Sequence, residues 1–130
     1  MQFKSFLFAA FCLLFVAACG KNHDHDENDT TAPVLTIAEP LENASISGEV
    51  SIEGTATDKS LHELEIIITQ DSDGAELYET KPDVHEKSTY EIHEHWTPAV
   101  AAETPVTLMV TVEDHNHNKT TKTVKFKVKP

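Results

Sequence analysis

The amino-acid sequence predicts an all-β fold, an antiparallel β-sandwich of about seven strands. Three observations carry that expectation. From Pro33 onward apolar and polar residues alternate with a period of two, the pattern of strands with one face inward. Clusters of Pro, Gly, Asn and Asp interrupt the alternation at short intervals. No segment keeps the apolar spacing of an amphipathic helix.

Val34-Leu35-Thr36-Ile37 opens the pattern, and Pro40 with Asn43 marks a turn. Between Glu49 and Thr57, Val50, Ile52, Gly54 and Ala56 share one face, while Ser51, Glu53, Thr55 and Thr57 share the other. Leu64, Ile66 and Ile68 form the next inward row. Asp71-Ser72-Asp73-Gly74 is hairpin-turn chemistry, leading into a short strand over Ala75 to Thr80. A loop follows from Lys81 to Lys87, broken by Pro82. Ser88 to Thr97 alternates with Tyr90, Ile92 and Trp96 on one side, leaving His93 and His95 on the solvent side beside Glu91. Glu94 then falls on the inward face, which predicts a bulge or an edge position. Val106, Leu108, Val110 and Val112 make the most regular strand. Val124, Phe126 and Val128 close the series, with Lys125, Lys127 and Lys129 facing out.

The chain is 130 residues long, room for one domain. Its net charge is −12 and its basic residues are all lysines, so it lacks the clustered cations that nucleic acid requires. Lys4 and the apolar run Phe6 to Ala18 have the form of an export signal too short to span a bilayer comfortably. The run ends Val16-Ala17-Ala18-Cys19-Gly20, which resembles the lipobox of bacterial lipoproteins. That resemblance implies cleavage after residue 18 and lipidation of Cys19, leaving residues 19–32 as an acidic tether and 33–130 as the domain. The alternative, an ordinary secretory signal cut at an A-x-A-like site, would leave an unpaired exported cysteine. Multiple acyl chains give stable anchoring where one would be marginal. Lys21 followed by acids, and Gly20 before it, are similar to signals that send Bacteroidota lipoproteins to the outer membrane and its surface. The expected location is therefore the cell envelope, outer-membrane anchored and facing either the periplasm or the exterior.

Histidine is the chemically distinctive residue. There are eight, six of them in three His-x-His pairs: His23/His25, His93/His95 and His115/His117. Residues two apart on a strand point the same way, so such a pair presents two imidazoles together, and imidazole suits Zn, Cu and Ni. His115 and His117 fall in the turn before the last strand. In an immunoglobulin strand order that turn shares one end of the sandwich with loops 58–62 and 81–87, which carry His62 and His85. The candidate metal ligands are therefore His62, His85, His115 and His117 with Asp114 at the tip, and His93 with His95 as a second set. A polar tip and a polar outer face would look the same without a metal. His23 and His25 in the tether would collect cations only weakly, and Ca²⁺ between Asp58, Glu113 and Asp114 is a further option.

Other chemistry lacks a signature. Thr97 stands where an H-E-x-x-H helix needs its second histidine, and the EF-hand-like start at Asp24 fails at Asp29 and Leu35. No nucleophile elbow or phosphate loop occurs. An enzyme is not expected.

Gly54-Thr55-Ala56-Thr57-Asp58 and Val112-Glu113-Asp114-His115-Asn116-His117-Asn118 resemble strand ends of bacterial immunoglobulin-like domains, with a glycine of the late turn replaced here. Residues 33–130 are similar to uncharacterised Bacteroidota lipoproteins with one His-rich domain of that kind. The resemblance implies an immunoglobulin-like fold and an envelope location. The expected function is a lipid-anchored envelope module, attached to the membrane through Cys19 and binding Zn, Cu or Ni. A metal-independent module contacting an envelope protein or a glycan is the alternative.

Overall fold

The computed structural model describes residues 28–130. The expected signal segment, Cys19 and the His23/His25 pair lie outside the described residues. Eight strands follow: β1 (Val34–Glu39), β2 (Ser45–Ser47), β3 (Val50–Thr57), β4 (Leu61–Gln70), β5 (Glu76–Thr80), β6 (Thr89–Trp96), β7 (Thr104–Asp114) and β8 (Lys119–Lys129). They form a three-stranded sheet in the order β1-β3-β6 and a five-stranded sheet in the order β2-β8-β7-β4-β5. That arrangement is an immunoglobulin-like sandwich.

The inward rows of both sheets meet in one core. Val50, Ile52, Ala56 and Ile92 of the small sheet face Leu64, Ile66, Ile68, Val106, Leu108, Val110 and Val112 of the large one, all buried. Val124 is half-buried at the margin. Gly54 is set by close approach: a Cβ there would stand 2.3 Å from the Thr36 carbonyl oxygen of β1. Gly74 adopts φ +71° in the hairpin turn and donates to the Gln70 carbonyl at 2.8 Å.

Two features depart from the sequence expectation. The eighth strand, β2, has three residues with only Ile46 half-buried, too short to register as alternation. It arises because the chain leaves the small sheet beyond β1 and joins β8 of the large one, and this β2–β8 pair runs parallel. Asn43 and Ala44 fix the crossing through backbone bonds to Lys125 and Lys127. The second departure is His62, expected in a loop but located in β4. Leu61 pairs with Asp114 and Glu63 with Glu113, so His62 is the extra residue of a β-bulge.

Glu94 is resolved in favour of the edge. The β3–β6 register runs without a break from Val50↔Trp96 to Thr57↔Thr89, and β6 is the outer strand of its sheet. At that open side the Tyr78 hydroxyl of β5 donates to Glu94 Oε2 at 3.3 Å. Burial, then the Glu94 charge, pushes the Tyr78 phenol up. An inward carboxylate on an edge strand also discourages pairing with a further strand.

Candidate metal centre

Three segments that are distant in sequence are stitched together at one end of the sandwich. Leu61 is buried at the start of β4, and its N–H donates to Lys87 O at 2.9 Å, while Glu86 N–H returns to Leu61 O at 3.0 Å. Asp58 N–H donates to Ser88 O at 3.0 Å. These bonds lay the 81–88 loop along the bulge. Val84, fully buried in a loop of otherwise polar character, pins it from below. The third segment is the β7–β8 turn, whose His115 N–H donates to Ser60 O at 3.2 Å.

The result is a three-imidazole cluster. Ring centroids of His62 and His115 are 4.6 Å apart, those of His85 and His115 4.7 Å, and those of His62 and His85 5.4 Å. One nitrogen from each ring lies within 4.8 Å of the others. The ligating nitrogens of imidazoles on one tetrahedral zinc stand roughly 3.3 Å apart, given Zn–N bonds of about 2.0–2.1 Å. Sharing one ion therefore requires the three rings to draw closer together. His62 and His85 are exposed and His115 is half-buried, so the cluster opens to solvent on one side. Three nitrogens with an open position match the ligand count of a three-histidine zinc site.

Asp114 and His117, the other tip candidates, are placed differently. Asp114 is 2% exposed, and its carboxylate is committed to its own turn. Oδ1 accepts from the backbone N–H groups of Asn116 at 2.8 Å and Asn118 at 2.9 Å, and Oδ2 accepts from Asn118 Nδ2 at 2.8 Å. It is a brace for the turn rather than a free ligand. His117 takes φ 67°, the left-handed conformation that glycine would supply most easily. Its ring centroid is 6.4 Å from that of His62, and Nδ1 is hydrogen-bonded to Glu113. Glu113 also holds Lys119 Nζ at 2.7 Å. These two contacts, Lys119 first, keep the Glu113 carboxyl below the usual range. Asp58 accepts from Ser60 N–H at 2.8 Å. The three carboxylates considered for Ca²⁺ are thus each engaged with separate partners.

The second cluster sits on the outer face of the small sheet. His93 and His95 project from β6 to solvent, and the register sets Glu53 opposite His93 and Ser51 opposite His95. His93 Nδ1 is 2.6 Å from Glu53 Oε1, which also accepts from Ser51 Oγ at 2.7 Å. His95 Nδ1 is 3.3 Å from Glu49 Oε1. The two Nε2 atoms face each other at 3.3 Å. The hydrogen bond to Glu53, followed by its charge, raises the His93 imidazole above its ordinary value of 6.5, and the same bond lowers Glu53. Glu53 and Glu49 are the participants that sequence reasoning missed. Glu53 was visible as an outward residue of its strand, but its partner depends on register, which alternation does not specify.

No protein-family model and no curated protein matches the chain. Among solved structures, an engineered protein is similar with a TM-score of 0.56 and 13% identity, over 75% of this chain. The chain spans 20% of that protein's length. Murine CRIg aligns over 76% of this chain and 98% of its own, at 10% identity and a TM-score of 0.44. At such identities the likeness to the engineered protein speaks for the sandwich fold alone.

Proposed function

We propose that this chain is a lipid-anchored module of a bacterial cell envelope that binds a late transition metal ion, Zn, Cu or Ni, through His62, His85 and His115. The observation that carries the reading is the meeting of three imidazoles from three separate segments within 4.8 Å. Packing and turn formation require apolar anchors and hydrogen-bonding residues at these places. They do not require three aromatic bases side by side, whose protonated forms repel one another. Borderline nitrogen donors with one side open suit capture and release of such ions. Binding needs the unprotonated rings, so acid releases the ion.

The Val16-Ala17-Ala18-Cys19 motif supports the anchor. The chain enters the domain at the histidine tip: Asp29 O accepts from Asn118 Nδ2 at 3.0 Å, and Pro33 O accepts from Thr120 Oγ1 at 2.6 Å. An anchored protein would therefore turn this tip toward its membrane. The intervening segment, extended, reaches at most about 35 Å.

Isothermal titration of the purified full chain with Zn²⁺, Cu²⁺ and Ni²⁺ tests the reading. We expect dissociation below about 1 µM for at least one ion, weakened by at least about a hundredfold in His115→Ala. Micromolar or weaker binding indifferent to that substitution overturns it and leaves a metal-independent module that contacts an envelope protein or glycan.

A further inference from the structure

We propose a second metal site, independent of the tip, on the outer face of β3 and β6: His93 and His95 bind one Zn²⁺ through their Nε2 atoms, and Glu53 and Glu49 aim the rings without touching the ion. The assignment follows from which nitrogen each carboxylate occupies. Glu53 Oε1 lies 2.6 Å from His93 Nδ1, and Glu49 Oε1 lies 3.3 Å from His95 Nδ1. A carboxylate beside a ring nitrogen selects the tautomer with hydrogen on that nitrogen. The two Nε2 atoms face each other at 3.3 Å. A proton between them makes that contact a hydrogen bond, and with both rings neutral and hydrogen on Nδ1 both Nε2 lone pairs are left for a cation in the proton's place. The separation is also the one that two imidazoles keep on a tetrahedral zinc with bonds of about 2.0–2.1 Å.

The surroundings complete the argument. Carboxylates that accept the distal N–H of ligating histidines fix ring orientation and increase nitrogen basicity. Here there is one for each histidine, and Ser51 Oγ, 2.7 Å from Glu53 Oε1, steadies the closer one. The ladder from Val50↔Trp96 to Thr57↔Thr89 holds both histidines and Glu53 without a bulge, and Glu49 immediately precedes its first residue. Two protein nitrogens leave half of a tetrahedral sphere to water or to donor atoms of a visiting molecule, so the ion here exchanges more readily than at the tip.

The test is zinc stoichiometry on the full chain, with zinc alone as the probe. Wild type is expected to bind two ions in two affinity classes. His115→Ala should keep only the weaker class, and His93→Ala only the tighter one. His93 is exposed and His115 half-buried, so circular dichroism checks that each variant folds. In the His115→Ala background, Glu53→Gln should weaken the remaining class by about ten- to a hundredfold without abolishing it. Nitrogen-15 shifts of the loaded protein should place zinc on Nε2 and hydrogen on Nδ1 of His93 and His95. A single wild-type site lost with His115→Ala overturns this proposal and leaves the tip standing. A single site lost with His93→Ala and kept by His115→Ala does the reverse. Zinc on Nδ1 overturns the assignment of the carboxylates.

Discussion

At the tip, the histidines come from a strand bulge, a loop and a turn that meet only after the sandwich has closed. On the sheet face, two histidines two residues apart share one side of one strand, and their carboxylate partners are supplied by the strand next to it and the residue preceding that strand. The tip gathers more nitrogen donors, but it relies on side chains that hold irregular backbone in place. The sheet face gathers fewer, and the ladder itself positions them. The same residue chemistry is therefore tuned in opposite directions, toward more ligands with a softer frame or fewer ligands with a stiffer one. Substitutions that soften the loop frame should separate the two regions.

The largest separation is expected from Asp114→Ala. It removes three hydrogen bonds to a buried carboxylate, on which the turn between β7 and β8 depends. Charge-assisted bonds of this kind contribute about 1.5–3 kcal/mol each before solvent replaces part of the loss, so destabilisation of roughly 3 kcal/mol is expected in urea unfolding. Zinc affinity of the tip should fall by more than tenfold, while the sheet-face class keeps its affinity in the folded fraction. Equal loss at both sites would end the claim that they are independent. A smaller separation is expected from Val84→Ala, which empties part of the anchor under the His85 loop. Loss of a buried valine's methyl groups predicts about 2 kcal/mol. Amide exchange at Leu61 and Glu86, whose hydrogen bonds tie loop to strand, should speed up with it. Unchanged exchange there would show that the loop is held by something other than Val84.

The same contrast explains what was legible in the sequence. Strands with one buried face announce themselves by alternation, and β3, β4, β6, β7 and β8 did so. Placing His62, His85 and His115 at one end followed from strand order alone, because an immunoglobulin-like sandwich brings those connections together. What stayed hidden is what alternation does not encode. Val84 is one apolar residue in a polar loop and carries no period. The bulge at His62 is a shift in pairing, invisible until β7 is laid beside β4. Asp114 read as a ligand because a carboxylate beside two histidines has that look, yet its oxygens face the turn's N–H groups. Glu53 needed the register of β3 against β6 before it could be joined to His93.

The smallest effect, and the sharpest in pH, belongs to the Glu53–His93 pair in the metal-free protein. The His93 imidazole is raised in the folded chain, so its contribution is fully present below the ordinary value of 6.5 and disappears as pH rises through the folded value. The Glu53 carboxyl is lowered, so its contribution is present above the ordinary value of 4.5 and disappears as pH falls through the folded value. The pair therefore stabilises most between those two ordinary values. The His93 side chain is 69% exposed and that of Glu53 30%, which keeps the effect small and open to salt screening. The unfolding temperature of wild type should exceed that of Glu53→Gln by most near about pH 5.5, by less near about pH 8.5, and by less again in about 0.5 M salt. A difference that ignores both pH and salt would mean that Glu53 acts through packing, and would remove the electrostatic half of the contrast between the sheet face and the tip.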